Sequence, residues 1–406
     1  MNWEVERLLR SPQIEVLLQT ALRSSGLELE HWALDRVYSR PHAESSARFQ
    51  VQASGHQLTL VASTRQLTEG QRDQLGAVRC ESEAGSLHIW AHPTDPELPG
   101  LRVVEDHAQL AERLTPLLQR QLRIEQVELV VLRPLRRAVY RVVAASDLGY
   151  RTLFLKVVRP HKLPELLARH LACSLIPSTA DLGDGILAVD QAPGLALTDL
   201  LYLPSSPMPG VRIDPQVILR ALDSLLPQAL QLPARTAPPQ RFASFEPALI
   251  AGGAHPQRVQ VLVQRIQAQL HRHSRPLVPT HGDFHPANLF LTEDAAHPAA
   301  LIDGDTVGPG HRVDDLSMMF AHLLALPSYD AAGYQTVPQL VQDLWYAVGG
   351  MAYEPADLVA RTAASMIALA PGARGPEQLD YYLGATEYIL DSGSIAVAQH
   401  THFGEM

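Results

Sequence analysis

The sequence predicts an α+β fold in which strand-rich segments precede a mostly helical C-terminal part. Short apolar segments at 128–132, 138–144 and 152–158 alternate with turn residues, which is typical of an antiparallel meander. From about residue 193 the pattern indicates helices joined by proline-rich connectors. Because 406 residues exceed one ordinary hydrophobic core, two or three domains are expected.

The first hundred residues are expected to form a domain of their own. Residues 4–25 carry apolar side chains near helical spacing, and Ser11-Pro12 marks a place where the helix would restart. Strand-like segments follow between residues 32 and 90, and the loop 91–100 is rich in proline and turn formers. We therefore predict an N-terminal α+β cap domain at 1–105.

Two further parts complete the predicted organisation. A strand-rich lobe at 106–192 begins with a helix near 106–120 and contains the meander, a helix at 163–175 and a strand at 185–190. A helical lobe spans 193–406.

The composition indicates a globular enzyme rather than a disordered or fibrous chain, with 46% hydrophobic and 19% charged residues. A formal net charge of -10 argues against a general nucleic-acid binder, because such proteins carry a basic face. The two cysteines lack disulfide or zinc spacing, and no apolar window approaches the roughly 18 residues of a membrane-spanning helix. The N-terminus lacks a signal-peptide pattern. We expect a cytoplasmic protein without nucleic-acid or membrane partners, and the sequence leaves its oligomeric state open.

Lysine usage singles out one position. Of 33 basic residues only Lys156 and Lys162 are lysines, and Lys156 lies in the apolar segment 151–158. A lysine ammonium is a compact point charge, whereas an arginine guanidinium is a planar fork. Lys156 is therefore a candidate for a site that requires the compact charge.

The strongest pattern lies downstream of this lysine. His281-Gly-Asp283 is followed by Asn288, and the apolar segment Leu301-Ile302 is followed by Asp303-Gly-Asp305. A strand lysine, a His-x-Asp loop with a later asparagine, and an aspartate after an apolar strand are together typical of phosphoryl transfer.

Each polar residue of this pattern has a predicted role. Asp283 would accept or orient the proton of a substrate hydroxyl, and Asn288 and Asp303 would offer oxygen ligands to Mg²⁺. Asp305 would either bind a second metal ion or support the first ligands. His281 belongs to the catalytic loop, where we expect it to brace the loop rather than to react.

The nucleotide would be held by upstream residues. Lys156 would bind phosphates and be oriented by Glu165, although Glu165 is also consistent with a solvent-facing position. Arg136 and Arg137 either cover phosphates or form a charged hairpin tip. Backbone groups of Asp190 and Ala192 would bind the adenine edge.

Residues 128–330 resemble the aminoglycoside phosphotransferase / choline kinase-like family, whose fold is that of the protein kinases. The resemblance is carried by Leu155-Lys156 and by the segments 189–194, 281–288, 301–305 and 314–316. Gly304 departs from the family pattern, in which an aromatic residue is common. The layout of the cap domain is similar to that of sugar-phosphorylating relatives such as maltokinases.

The resemblance implies a bilobal protein kinase-like fold with an antiparallel strand-rich N-lobe and a helical C-lobe. It implies that Asp283 is the catalytic base, that Asn288 and Asp303 bind magnesium, and that Lys156 binds phosphate. Asp315 would tie its helix to the catalytic loop. The cofactors would be ATP or GTP with Mg²⁺.

Two functions of different classes follow. The first is an ATP- and Mg²⁺-dependent phosphotransferase that phosphorylates a hydroxyl of an aminoglycoside, amino sugar, sugar or amino alcohol. The alternative is a noncatalytic, nucleotide-binding regulatory protein with a kinase-like fold. Nothing in the sequence identifies the acceptor.

A repeated pattern in the cap has two interpretations. Val37 to Val51 resembles Val130 to Val143, and a gap-free alignment places Ser63 opposite Lys156. The cap is either a degenerate duplicate of the strand lobe that lacks the lysine, or an unrelated pair of similar hairpins.

Overall fold

The computed structural model describes residues 3–39, 44–270, 276–350 and 354–396. Its contacts divide the chain into two units. The first comprises Met1–Leu167 and Ser178–Gln191, and the second comprises Ala168–Pro177 and Ala192–Met406. The predicted division into 1–105, 106–192 and 193–406 stays a prediction.

The first unit contains two antiparallel five-stranded sheets, each flanked by helices. The elements of its cap portion are α1 (Trp3–Arg10), α2 (Ile14–Arg23), β1 (Leu29–Tyr38), β2 (Ser46–Ala53), β3 (His56–Ser63), α3 (Glu69–Leu75), β4 (Val78–Ser82) and β5 (Gly85–Ala91). The remaining elements are α4 (Gly100–Glu105), α5 (His107–Leu118), β6 (Arg123–Arg133), β7 (Arg137–Ser146), β8 (Gly149–Val158), α6 (Leu163–Leu171), β9 (Thr179–Asp181) and β10 (Ile186–Asp190). The last residues of α6, from Ala168 onward, belong to the second unit.

Local sequence explains where these helices begin. Thr68 and Gln71 form a reciprocal capping box at the start of α3. The carboxylate of Asp106 accepts the backbone N–H groups of Ala108 and Gln109 at the start of α5. The helix expected over 4–25 forms two pieces, α1 and α2, with the break at Ser11-Pro12.

The two sheets share one topology. Their strand orders are β1-β2-β3-β5-β4 and β6-β7-β8-β10-β9, and a helix follows the third strand of each. Ser63 pairs with Ser46 in the first sheet, as Lys156 pairs with Val139 in the second. The common order and register favour the duplicate interpretation, with a serine at the position of the lysine.

The second unit is mostly helical. Its strands are β11 (Leu195–Ala196), β12 (Val278–Thr280), β13 (Leu289–Leu291), β14 (Pro298–Leu301) and β15 (Gly308–Gly310). Its helices are α7 (Leu197–Leu201), α8 (Pro215–Ala221), α9 (Pro238–Arg241), α10 (Glu246–Ala251), α11 (Pro256–Gln269), α12 (Arg312–Ala325), α13 (Val337–Gly349), α14 (Pro355–Leu369) and α15 (Pro376–Ser392). Among the described helices, none combines the length and the hydrophobicity that crossing a membrane requires.

The predicted α+β class is confirmed, and two details of the prediction are wrong. The helix expected over 163–175 ends at Leu171, because the chain turns there and Cys173 forms a β-bridge with Leu225. The helical lobe also contains short strands on either side of the predicted catalytic loop. Strands of two to four residues carry no periodicity from which they could be predicted.

Candidate active site

The loop after β12 is held by a buried carboxylate. Asp315, in the first turn of α12, is 1% exposed and accepts the backbone N–H groups of His281 and Gly282 at 2.9 and 2.8 Å. Gly282 has φ +78°, and a Cβ there would lie 2.9 Å from the carbonyl oxygen of Thr306. The role that the resemblance implied for Asp315 therefore has a direct structural basis in these two bonds.

Asp283 and Asn288 are connected within this loop. The Asn288 amide nitrogen donates to the Asp283 carbonyl oxygen at 2.9 Å, which orients the buried amide. The Asp283 side chain is 37% exposed, so its carboxylate is accessible to a substrate. The loop thus carries a solvent-accessible carboxylate and an oriented amide, and the catalytic and metal-binding roles of the two residues stay predictions.

The strand pair β13–β14 brings Asp303 toward Asn288. Leu289 pairs with Leu301, and the Ile302 N–H donates to the Asn288 carbonyl oxygen at 3.0 Å. Asp303 has a left-handed backbone, φ +61° and ψ +45°, which is costly for a residue other than glycine. Such strain is typical of functional sites.

The donor atoms fit magnesium. Mg²⁺ prefers carboxylate and amide oxygens and usually keeps water and phosphate oxygens among its ligands. Among the described residues, no three His, Cys, Asp or Glu side chains form a metal-binding group. A magnesium ion here would therefore be held by few protein ligands, Asn288 and Asp303, and would take the others from nucleotide and water.

His281 supports the loop through its backbone. Its N–H donates to Asp315, and its carbonyl oxygen accepts the Thr306 hydroxyl at 2.8 Å. Burial lowers the pKa of the ring to about 4, so the imidazole is neutral near pH 7. Both hydrogen bonds are made by the backbone of His281, so the bracing role predicted for its side chain stays a prediction.

A pair of stacked histidines lies beside Asp283 and was not predicted. The rings of His285 and His322 are 4.3 Å apart between centroids and 15° from parallel. His285 Nε2 lies 3.9 Å from an Asp283 carboxylate oxygen. His322 lies in the last turn of α12 and belongs to no motif, so no local pattern could have indicated it.

This stack predicts a loss of stability in acid. Burial lowers the pKa of His285 to about 4 and that of His322 to about 3, from an ordinary value of 6.5. Neutral rings therefore stabilise the fold above pH 6.5, and this contribution is lost as the pH falls toward 4.

We expect His322→Phe, which keeps a stacked ring, to reduce the loss of unfolding free energy between pH 6.5 and pH 4. Chemical denaturation at several pH values measures this, with exposed His297→Phe as the control. An unchanged slope in His322→Phe would contradict the assignment.

Asp305 contacts the end of helix α6. One of its carboxylate oxygens lies 2.9 Å from His170 Nε2. At neighbouring Gly304, a Cβ would lie 2.2 Å from Ile176 Cδ1. A larger residue at position 304 would therefore require the Ile176 side chain to shift.

Lys156 and Glu165 lie on the same side of the second sheet of the first unit. Lys156 pairs with Leu187, and directly paired residues project from the same face. Leu187 clusters with Leu163 and Leu166 of helix α6, so α6 covers that face. Both Lys156 and Glu165 are half-buried. The pairing of their charged groups stays a prediction.

The predicted adenine-binding segment follows β10. The Asp190 side chain is held by Arg151, whose Nε donates to its carboxylate at 2.8 Å, and the Asp190 N–H donates to the Ser178 carbonyl oxygen. Ala192 is half-buried in the loop that follows. A role of either backbone in nucleotide binding stays a prediction.

The turn between β6 and β7 is anchored in the cap portion of the first unit. Leu135, at its tip, is 1% exposed with φ +65° and packs among Val61, Leu67, Ala77 and Trp90. Its N–H donates to the buried carboxylate of Asp95 at 2.8 Å. The neighbouring Arg136 lies 3.7 Å from Glu44. The turn is therefore fixed, and the phosphate contacts proposed for Arg136 and Arg137 stay predictions.

Truncating the buried tip should weaken the first unit. We expect Leu135→Ala to lower the free energy of unfolding by about 2–5 kcal/mol, because it leaves a cavity. Denaturant unfolding monitored by circular dichroism measures the change. Leu148→Ala, at an exposed hairpin tip, serves as the matched control and should change stability by less than about 0.5 kcal/mol. Equal effects of the two substitutions would contradict a buried anchor.

Comparisons with known proteins address the family directly. No curated protein sequence matches the chain significantly. Among solved structures, it is similar to a macrolide 2'-phosphotransferase from Brachybacterium faecium, with 20% identity, 73% of this chain and 99% of that chain covered, and a TM-score of 0.36. It is also similar to a choline kinase from Streptococcus pneumoniae, with 13% identity, 70% and 98% coverage, and a TM-score of 0.42. A thermostable mutant of aminoglycoside phosphotransferase APH(4)-Ia gives 14% identity, 70% and 99% coverage, and a TM-score of 0.45.

A family model gives the decisive match. The model of the phosphotransferase enzyme family (APH) matches residues 102–344, which is more than half of the chain and includes both Lys156 and the predicted catalytic loop. This confirms the predicted family and, with it, the kinase-like α+β class. The chain therefore belongs to the phosphotransferase enzyme family.

Proposed function

We propose that the chain is an ATP- or GTP-dependent phosphotransferase that requires Mg²⁺ and phosphorylates a hydroxyl of a small molecule. The acceptor would be an aminoglycoside, amino sugar, sugar or amino alcohol. One observation carries the proposal: the buried Asp315 holds the loop that presents the accessible Asp283 beside the oriented Asn288. Phosphoryl transfer depends mainly on such positioning.

The proposed roles follow from the chemistry of each side chain. Asp283 orients the acceptor hydroxyl and accepts its proton, and Asn288 and Asp303 hold Mg²⁺. When bound, Mg²⁺ neutralises the charge of the transferred phosphoryl group. Lys156 binds the phosphates that do not react, and Glu165 orients Lys156.

Asp305 is assigned a supporting role rather than a second metal site. One of its oxygens already lies 2.9 Å from His170 Nε2. A carboxylate held in this way by a buried side chain is suited to fixing the loop that carries Asp303.

Nucleotide-dependent thermal stability tests the proposal. A ligand that binds only the folded state raises the melting temperature by mass action. We expect ATP or GTP with Mg²⁺ to raise the melting temperature, and EDTA or Asp303→Ala to remove most of that increase. Glu293→Ala, at an exposed position of the same unit, should behave as wild type. An unchanged melting temperature with both nucleotides would contradict the proposed nucleotide site. A raised melting temperature without turnover of any acceptor would favour the noncatalytic alternative.

A further inference from the structure

We infer that His170 is a positioning residue for the proposed magnesium site and acts through Asp305. This inference rests on the proposed function and adds to it a residue that lies outside every motif of the family pattern. Its basis is the way in which one short segment of the second unit, residues 169–176, lines the loop that carries Asp303 and Asp305.

Several contacts fasten this segment to the loop. Arg169 is fully buried and donates to the carbonyl oxygens of Val307 and Pro233 at 2.5 and 2.8 Å. The Leu301 N–H donates to the Leu175 carbonyl oxygen at 3.0 Å, and Ile176 fills the space above Gly304. The segment thus contacts the loop at three places: before it at Leu301, within it at Gly304 and after it at Val307.

His170 supplies a side-chain contact from this segment to an acidic residue of the loop. Its ring is 2% exposed, and Nε2 lies 2.9 Å from an Asp305 carboxylate oxygen. The other ring nitrogen of His170, Nδ1, is buried, and it has no hydrogen-bond partner among the described residues. Because an unpartnered buried nitrogen costs free energy, an apolar side chain would serve packing better than this imidazole. The hydrogen bond to Asp305 is the contact that histidine makes at this position and that leucine could not make.

The bond matters because of the backbone next to it. Asp303 is held in a left-handed conformation, and the tight turn Gly304–Thr306 follows at once. A non-glycine residue keeps such a conformation only where its surroundings impose it. By fixing Asp305 inside this turn, His170 keeps the Asp303 carboxylate in place for the metal ion. Side chains that hydrogen-bond a metal ligand typically change metal affinity by about 10–100-fold when they are removed, and His170 acts one contact further from the ligand Asp303, so we expect the lower end of this range.

A direct metal titration tests the inference. We would measure binding of Mn²⁺, a paramagnetic substitute for Mg²⁺, by electron paramagnetic resonance in the presence of a nonhydrolysable ATP analogue. We expect His170→Leu to weaken Mn²⁺ binding by about 10-fold or more. His170→Gln, which keeps an N–H donor near the Nε2 position, should stay within about 3-fold of wild type, well below that range. Exposed His297→Leu is the matched control.

Variants of Asp305 separate positioning from direct ligation. Asp305→Asn retains an oxygen that accepts the His170 N–H and should keep most of the Mn²⁺ affinity, whereas Asp305→Ala should lose it as His170→Leu does. If His170→Leu fails to fold, Asp305→Ala provides the same test. Loss of binding in Asp305→Asn as severe as in Asp303→Asn would make Asp305 a ligand and overturn the inference.

Two other outcomes would also be decisive. Wild-type affinity in a folded His170→Leu protein, or in Asp305→Ala, would overturn the inference while leaving the proposed function standing. Failure of the wild-type protein to bind Mn²⁺ with the nucleotide analogue would overturn the proposed function, and the inference with it.

Discussion

Replacing Asp283 by asparagine should slow phosphoryl transfer by at least about 100-fold while leaving the fold and nucleotide binding intact. The substitution removes the carboxylate that accepts or orients the acceptor proton, and general-base catalysis typically contributes about 10²–10⁴-fold to the rate. The fold should survive because Asn288 is bonded to the backbone of Asp283, not to its side chain. The side chain is also partly exposed, so little packing is lost.

Two measurements separate chemistry from binding in Asp283→Asn. We expect the nucleotide-induced rise in melting temperature to match that of wild type, and the rate of phosphate transfer to an acceptor to fall by at least about 100-fold. Glu293→Gln, which changes an exposed acid in the same unit, should keep the wild-type rate. A rate within about 10-fold of wild type in Asp283→Asn would remove the general-base assignment.

Replacing Arg361 by methionine should strongly destabilise the second unit. Arg361, Asp314 and Asp357 are 6%, 5% and 3% exposed, and Arg361 bonds Asp314 and Asp357 at 2.5 and 3.0 Å. Loss of the guanidinium leaves two buried carboxylates without their counter-charge, which typically costs about 3–5 kcal/mol. Because Asp314 precedes the loop-holding Asp315, the catalytic loop should lose order together with α12.

Two controls sharpen this stability prediction. Arg265→Met removes the partner of the exposed Asp391 and should cost less than about 1 kcal/mol. The triple variant Asp314→Asn, Asp357→Asn, Arg361→Met should recover part of the loss, because it leaves no unpaired buried charge. Urea unfolding of the three proteins measures these differences. Equal stability of Arg361→Met and Arg265→Met would show that the buried network contributes nothing.

The parts of the site that lie within one local pattern could be predicted from sequence. The loop 281–288 and the block 301–305 carry their information in residue type and spacing, and the structure brings Asn288 and Asp303 together across β13 and β14. The meander was predictable for the same reason, since the strand β7 alternates between buried and half-buried positions along most of its length.

The parts that depend on contacts between distant segments could not be predicted. His170 reaches Asp305, His322 stacks on His285, and the tip residue Leu135 is anchored by Asp95. Each of these pairs is separated by tens of residues and has no fixed spacing, so only the folded chain shows it. The cap portion of the first unit helps to hold the turn at Leu135, because Val61 and Trp90 of its sheet pack against this side chain.

We propose that this chain transfers a nucleotide phosphoryl group to a small molecule. The most direct test incubates the protein with Mg²⁺ and γ-labelled ATP or GTP, together with aminoglycosides, amino sugars, sugars or amino alcohols, and then separates small molecules from protein. We expect a labelled small molecule with wild type and at least about 100-fold slower labelling with Asp283→Asn. Nucleotide binding with no labelled small molecule from any acceptor class, or label found only on protein, would contradict it.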